Sequence, residues 1–455
     1  MTTLSPHTII RPEPDGALLF QQETAETALL DLEGLDALYF LLKDDLREHP
    51  IFFVKYLRDQ QFVVPGPSDG ALETVERVRD VARQTTAPPR SLAAPETIHF
   101  SVTGRCDQAC TGCFYSARPG SEVAAQDAPW SLFERVVLEA EQARVFQIAL
   151  GGGEPLLHPR LVDMVRLARE HSVVPNLTTN GNLLTREMAH ELKEAGLGQA
   201  QISLNGADEA VNAQTRPNFA ATMQAIENCR AAGLRWGLNF LVTRSNLAAL
   251  EGVIELGRRL GAASVNILRP KPPTTAGDWL ARESPDGAGY RAIRKVLHEF
   301  FDGDGRRSPD RAPETSNSKS HTRLTLDASL SFLLTDQPPD RLYRNGVWGC
   351  CAARKFVTVT QDGAVLPCSH VRWSDVGEGD FMRAWWQSEV FVRFREQEEG
   401  MRGPCRACPY LELCKGCRAV VMAFGGDFAD SDPHCPLRGN QPQFARVHGT
   451  TVSGT

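Results

Sequence analysis

The sequence has no run approaching the ~18 consecutive apolar residues that a membrane-spanning helix needs. Its first residues, Met1-Thr2-Thr3-Leu4-Ser5-Pro6, carry no basic segment followed by an apolar one. A cytoplasmic protein with no membrane partner is therefore the expectation. Basic charge is also in short supply, with 49 Lys and Arg against 56 Asp and Glu, a formal net charge of −7. A general nucleic-acid binder needs a basic face to neutralise phosphates, so that class is disfavoured, whereas a peptide partner is not.

The apolar share of 42% and charged share of 23% are those of an ordinary globular protein. The 455 residues are enough for two or three domains. Cysteine is abundant: there are twelve, and without an export signal they are better read as metal ligands than as disulfides. Eleven fall into two groups, residues 106–113 and 350–435, and Cys229 stands alone in a helical pattern as a small core residue.

Cys106, Cys110 and Cys113 are spaced C-x3-C-x2-C. Three thiolates in one loop can wrap three irons of a cubane iron–sulfur cluster and leave the fourth iron without a protein ligand. Soft thiolates select iron–sulfur or zinc sites, and structural zinc would need a closed set of four, completed by a distant His or Cys. Residues 97–102 read as a strand just ahead of the loop, which puts the cysteines where a parallel barrel gathers its active-site groups. A second apolar strand, 146–150, runs into Gly151-Gly152-Gly153-Glu154-Pro155, where glycines let backbone approach a ligand closely.

This combination resembles the radical S-adenosylmethionine (radical SAM) enzymes. The resemblance implies a 4Fe-4S cluster on Cys106, Cys110 and Cys113, with S-adenosylmethionine on the open iron and its methionyl amine at Gly152, Gly153 and Glu154. Such enzymes cleave S-adenosylmethionine to methionine and a 5′-deoxyadenosyl radical, which takes hydrogen from an unreactive C–H bond. One departure stands out. The family usually has an aromatic just before the third cysteine, whereas Gly112 is here and Phe114 and Tyr115 follow, leaving open which group covers the adenine.

From residue 98 to 268 strands and helices alternate six times, which predicts a parallel sheet. The further strands are 173–178, 200–204, 236–242 and 263–268, and the helices 130–145, 160–170, 186–195, 222–232 and 247–260. The fold class is thus α/β, a partial (β/α)6 TIM barrel open on one side. Polar strand ends supply further candidates: Thr179 and Asn180 after the third strand, Ser203 and Asn205 after the fourth, Arg269 after the sixth. By resemblance, Ser203 and Asn205 match the Ser-Leu-Asp-Gly segment that helps hold the cofactor's ribose and carboxylate, with an amide for the acid. Arg216 matches a recurrent family arginine. Asn205 and Arg216 could instead be helix-cap or turn residues.

Residues 1–64 precede the barrel as a separate unit. Strands 8–13, 17–20 and 27–32, helices 35–42 and 51–57 and a final strand 62–64 resemble the small winged-helix peptide-recognition domains of ribosomal-peptide maturation, in which a leader peptide adds a strand to a sheet edge. A structural cap and a DNA-reading winged helix are the alternatives, and the acidic Asp44, Asp45 and Glu48 beside Lys43 and Arg47 disfavour the second. Residues 65–95 are a linker and an amphipathic helix, 72–81, bounded by Pro88-Pro89. The barrel spans 96–270. A bridging region, 271–346, holds a helix at 290–301, a polar run at 302–320 read as a mobile loop, and a strand-like stretch at 321–334. The last parts are a cysteine-rich domain, 347–437, and a tail, 438–455.

That domain carries Cys350, Cys351, Cys368, Cys405, Cys408, Cys414, Cys417 and Cys435, with Gly363 at a hairpin turn five residues before Cys368. It resembles the SPASM extension of radical SAM peptide maturases, though its middle run, C-x2-C-x5-C-x2-C, is one residue short at the last step. The resemblance implies two auxiliary 4Fe-4S clusters. Cys405, Cys408, Cys414 and Cys435 would hold the outer one. Cys368, Cys417 and either Cys350 or Cys351 would hold the inner one, with no evident fourth ligand. Zinc is the competing reading of paired C-x2-C, though the five-residue gap is short for a zinc ribbon. The function implied is radical modification of a ribosomally made precursor peptide bound through its leader, with electrons from a donor such as flavodoxin or ferredoxin. The alternatives are a maturase of a redox enzyme or its cofactor, and a non-catalytic iron–sulfur electron carrier. Sulfatase maturation is disfavoured, since Ser369 stands where those enzymes place a catalytic aspartate.

Overall fold

The computed structural model describes residues 1–45, 51–117, 119–120, 126–273, 278–303, 322–344 and 347–438. Most of the polar run 302–320, the tail beyond 438, and Arg47 and Glu48 lie outside them.

The N-terminal unit follows the alternation of its apolar residues. β1 (Thr2–Leu4) pairs antiparallel with β5 (Val63–Pro65), and β2 (Thr8–Glu13), β3 (Gly16–Gln21) and β4 (Glu26–Asp31) form an antiparallel sheet in that order. Asp31 caps the helix Leu32–Leu42 by accepting from the Gly34 amide at 2.8 Å. Leu35, Leu38, Leu42, Leu57 and Phe62 share a core with Val75 and Val78 of the helix Asp69–Ala82. That helix stops six residues before Pro88, where its apolar stripe runs out at Ala82.

The barrel strands are β6 (Thr97–Thr103), β7 (Gln147–Gly152), β8 (Val174–Thr179), β9 (Gln199–Ser203), β10 (Trp236–Leu241) and β11 (Ser264–Leu268). All pair in parallel in sequence order, as the alternation predicts. Two further parallel strands extend the sheet. β12 (Arg323–Leu326) joins β11, and β13 (Phe356–Val359) joins β6, with β14 (Val365–Leu366) folded back on it at Gly363. The cysteine-rich region thus continues the barrel sheet. The stretch 321–334 is a strand only in part, because Asp327 accepts from the Ser329 amide and starts a 3-10 helix, Ala328–Leu334.

One face of every barrel strand is apolar, with Ile98, Phe100, Ile148, Leu177, Ile202, Leu238 and Val265 under the outer helices. The other face is polar. Asn176 donates to Gln147 at 2.9 Å, Gln199 and Gln201 both reach Ser264 at 3.0 Å, and Asn266 donates to Asn239 at 2.8 Å.

Sequence reasoning left the seat of the N-terminal unit open. Phe20 of β3 stacks on Phe146 at 5.0 Å, with Leu18 and Val174 alongside. The buried Arg11 donates to the carbonyls of Pro95, Ala94 and Arg144 at 2.9, 2.9 and 3.1 Å and pairs with Glu13 at 2.7 Å. These partners lie just before β6 and β7 and at the first residue of β8, so the unit covers the barrel floor, at the end opposite the cysteine loop.

Candidate active site

Cys106, Cys110 and Cys113 lie on the loop after β6. Burial pushes the Cys106 thiol up to about 11 and also raises Cys110, on which nearby Arg216 acts in the opposite sense. Asp107 accepts from the side-chain amides of Asn180 and Asn182 at 2.7 and 2.9 Å. Gln108 accepts from Cys110 Sγ at 3.3 Å and from Arg216 at 3.4 Å, and donates to Asn182 at 3.0 Å. The loop ends of β6, β8 and β9 are thereby locked to one another.

The β7 segment runs against the same loop. The Gly153 amide donates to the Thr103 carbonyl and the Glu154 amide to the Arg105 carbonyl, both at 2.7 Å. A Cβ at Gly153 would lie 2.0 Å from the Arg105 carbonyl oxygen. One at Gly152, whose φ is +112°, would lie 2.4 Å from that of Thr103. The approach that requires these two glycines is therefore that of the cysteine loop itself. Gly151 borders open space instead. The carboxylate of Glu154 is buried and accepts from Thr179 Oγ1 at 2.7 Å, the Asn180 amide at 2.8 Å and the Leu156 amide at 3.2 Å. Burial raises it to about 7 against the pull of those hydrogen bonds.

In the C-terminal region Cys405, Cys408, Cys414 and Cys435 line one cavity with Phe332, Tyr410 and Asp432. Elsewhere, the charges acting on Cys368 include those of Cys350 and Cys417, while the Cys351 thiol donates to the Gly349 carbonyl at 3.1 Å. Among the described residues no group of three or more His, Cys, Asp or Glu could hold a single metal ion.

Residues 100–257 match the Radical SAM superfamily and residues 350–409 the SPASM iron-sulfur cluster-binding domain. The PqqA peptide cyclase of Gluconobacter oxydans is 30% identical over 368 residues, covering 77% of this chain and 91% of that protein. This chain is a radical SAM enzyme with a SPASM domain. The AdoMet-dependent heme synthase of Methanosarcina barkeri is 28% identical over 357 residues, 76% of this chain and 97% of its own. SuiB of Streptococcus suis, solved with S-adenosylmethionine, superposes with a TM-score of 0.71 over 95% of this chain and 99% of its own; at 16% identity this shows the fold.

The residues present fit the iron–sulfur and S-adenosylmethionine chemistry of the radical SAM family. Three thiols share one braced loop, and two buried N–H donors near it, Arg216 Nε and Trp279 Nε1, have no hydrogen-bond partner among the described residues. Cys405, Cys408, Cys414 and Cys435 share one cavity, a thiol set of the kind that holds a cubane cluster. Thr179 and Asn180, expected as cofactor contacts, act directly on Glu154 and Asp107. Asn205 bonds Thr215 Oγ1 at 2.9 Å and the Leu241 amide at 3.2 Å, which joins the ends of β9 and β10. Ser203 is half-buried at the mouth of the lumen.

Arg269 does not serve the barrel mouth. Its guanidinium forms a buried bidentate pair with Asp432 at 2.7 and 2.8 Å, and Asp432 also accepts from the Cys417 amide at 2.8 Å. Phe114 meets His370 edge-on at 4.5 Å and Tyr115 donates to Gln361, so both aromatics dock the SPASM domain. Sequence reasoning missed three further groups. The first is His99, on the lumen face of β6, stacked on Phe356 at 4.7 Å, 3.1 Å from Ser369 Oγ and lowered to about 4 by burial. The second is Lys271, buried beside Cys368 and Cys417 and paired with Asp327. The third is Trp279. The lumen position of His99 is legible from strand alternation. The other two required knowing how the bridging region folds back.

Proposed function

We propose that this enzyme modifies a ribosomally made precursor peptide, forming a cross-link or another bond at an unreactive carbon. When bound, the cluster and S-adenosylmethionine supply a 5′-deoxyadenosyl radical that removes a hydrogen atom from the substrate. Cys106, Cys110 and Cys113 would hold that cluster, and Glu154, aligned by Thr179 and Asn180, would receive the methionyl ammonium. Gly152 and Gly153 let the two loops meet, while Ser203, Asn205 and Arg216 would complete the rim. Cys405, Cys408, Cys414 and Cys435 would hold an outer auxiliary cluster, and Cys350, Cys368 and Cys417 an inner one, giving three clusters in all. The Cys350 charge acts on Cys368, whereas the Cys351 thiol is engaged by the Gly349 carbonyl, which favours Cys350. An electron carrier of the flavodoxin or ferredoxin class would serve as reductant.

The observation that carries this reading is the similarity to a peptide cyclase across 91% of that protein's length. It agrees with a lumen lined by amide and hydroxyl groups, which suits a peptide backbone. A second reading, modification of a redox cofactor, is favoured by the similarity to the heme synthase. The test is anaerobic turnover with short peptides encoded beside the gene and, separately, with an iron tetrapyrrole precursor. Loss of peptide hydrogens, read by mass spectrometry together with 5′-deoxyadenosine release, supports the first reading; turnover only of the tetrapyrrole overturns it.

A further inference from the structure

Gly112, between the second and third cysteines of the loop, has φ +73°, and its side-chain position is filled from a distance. A Cβ there would lie 2.1 Å from Cζ2, 2.2 Å from Cε2 and 2.5 Å from Cη2 of Trp279. Trp279 opens the short helix Trp279–Glu283, which is tethered to the barrel mouth after β10. The Arg244 amide donates to the Glu283 carbonyl and Ser245 Oγ to the Glu283 carboxylate, both at 2.7 Å. The indole is 3% exposed, and its Nε1–H, attached to Cε2, finds no acceptor among the described residues. A buried indole N–H normally finds a partner, and one left unpaired is costly.

We propose that Trp279 Nε1–H donates a hydrogen bond to a sulfur of the cluster held by Cys106, Cys110 and Cys113. The inference rests on that cluster assignment. Gly112 is then the residue that admits the indole edge into the loop, since any side chain there would displace it. A donor aimed at a cluster sulfur stabilises the reduced, more negative state and raises the potential. Trp279 is a positioning and tuning residue; it takes no part in bond cleavage.

The test is an EPR-monitored redox titration of the reconstituted enzyme without S-adenosylmethionine, following the signal that the cofactor perturbs when added to a parallel sample. In Trp279→Phe that cluster is expected to become harder to reduce, by about tenfold in its reduced-to-oxidised ratio, about 59 mV for a one-electron couple. The auxiliary signals should not move. Replacing Trp279 with benzothienylalanine, which keeps the ring shape and removes only the N–H, should give the same shift, and it is the deciding variant should Trp279→Phe lose iron. An unchanged potential in the benzothienyl variant overturns the proposal, as does a change seen only in S-adenosylmethionine affinity, which would assign the N–H to the cofactor. A wild-type protein that takes up no cluster at Cys106, Cys110 and Cys113 would instead refute the site assignment itself.

Discussion

Glu154 carries the sharpest residue-level consequence. Its carboxyl is buried with no ion-pair partner among the described residues and raised to about 7, yet it would have to be ionised to receive an ammonium group. Affinity for S-adenosylmethionine is therefore expected to fall about tenfold per pH unit below 7, as protons compete for the carboxylate, and to level off above it. Anaerobic calorimetry across pH 5.5–8 checks this, and Glu154→Gln should bind weakly with no such slope. The glycines beside it separate two causes. Gly153→Ala drives a Cβ into the Arg105 carbonyl and is expected to cost about 1–3 kcal/mol and to lose the iron of the cysteine loop. Gly151→Ala faces open space and should keep its iron, which metal analysis would show. The cysteines and Glu154 were legible because thiolate type, spacing and strand ends are local features. The partners of Thr179, Asn180 and Arg216 were not, since each hydrogen bond joins loops separated by many residues.

At the level of elements, β6 to β11 were readable from short apolar runs set between helical patterns. Their ends differ from the sequence reading by a residue or two, where pairing overrides local preference. β12 on β11 and β13 on β6 were not readable, because an edge partner far along the chain leaves no periodic trace. The same holds for the join between β11 and the C-terminal cysteine-rich region. Arg269 and Asp432 stand 163 positions apart and form one buried ion pair. Removing one partner leaves an uncompensated buried charge, so Asp432→Asn is expected to cost about 3–5 kcal/mol. Because Asp432 also holds the Cys417 amide, auxiliary iron should fall while the S-adenosylmethionine-responsive EPR signal persists. Iron analysis alongside thermal unfolding measures both effects.

Over the whole molecule, the functional loops gather at the C-terminal ends of the barrel strands while the N-terminal sheet closes the floor. The strands and helices of that unit were legible apart from β1, but its docking was not, because Phe20 and Arg11 look like ordinary strand residues until Phe146 and the 94–95 carbonyls are brought beneath them. β2 is turned to the floor, whereas β4, among the described residues, pairs in its sheet only with β3 and exposes Leu29. If a leader peptide adds there, Leu29→Lys should weaken peptide binding by about tenfold in fluorescence anisotropy and leave peptide-independent cleavage of S-adenosylmethionine unchanged. Among the described residues no helix is long and apolar enough to cross a membrane. The most direct measurement compares the anaerobically reconstituted wild type with the variant in which Cys106, Cys110 and Cys113 are all Ala, by iron content and reductant-driven 5′-deoxyadenosine formation. The expected result is about twelve irons and 5′-deoxyadenosine for the wild type, against about eight irons and none for the variant. 5′-Deoxyadenosine from the triple variant, or a wild type holding zinc and four irons or fewer, would contradict the assignment of these cysteines.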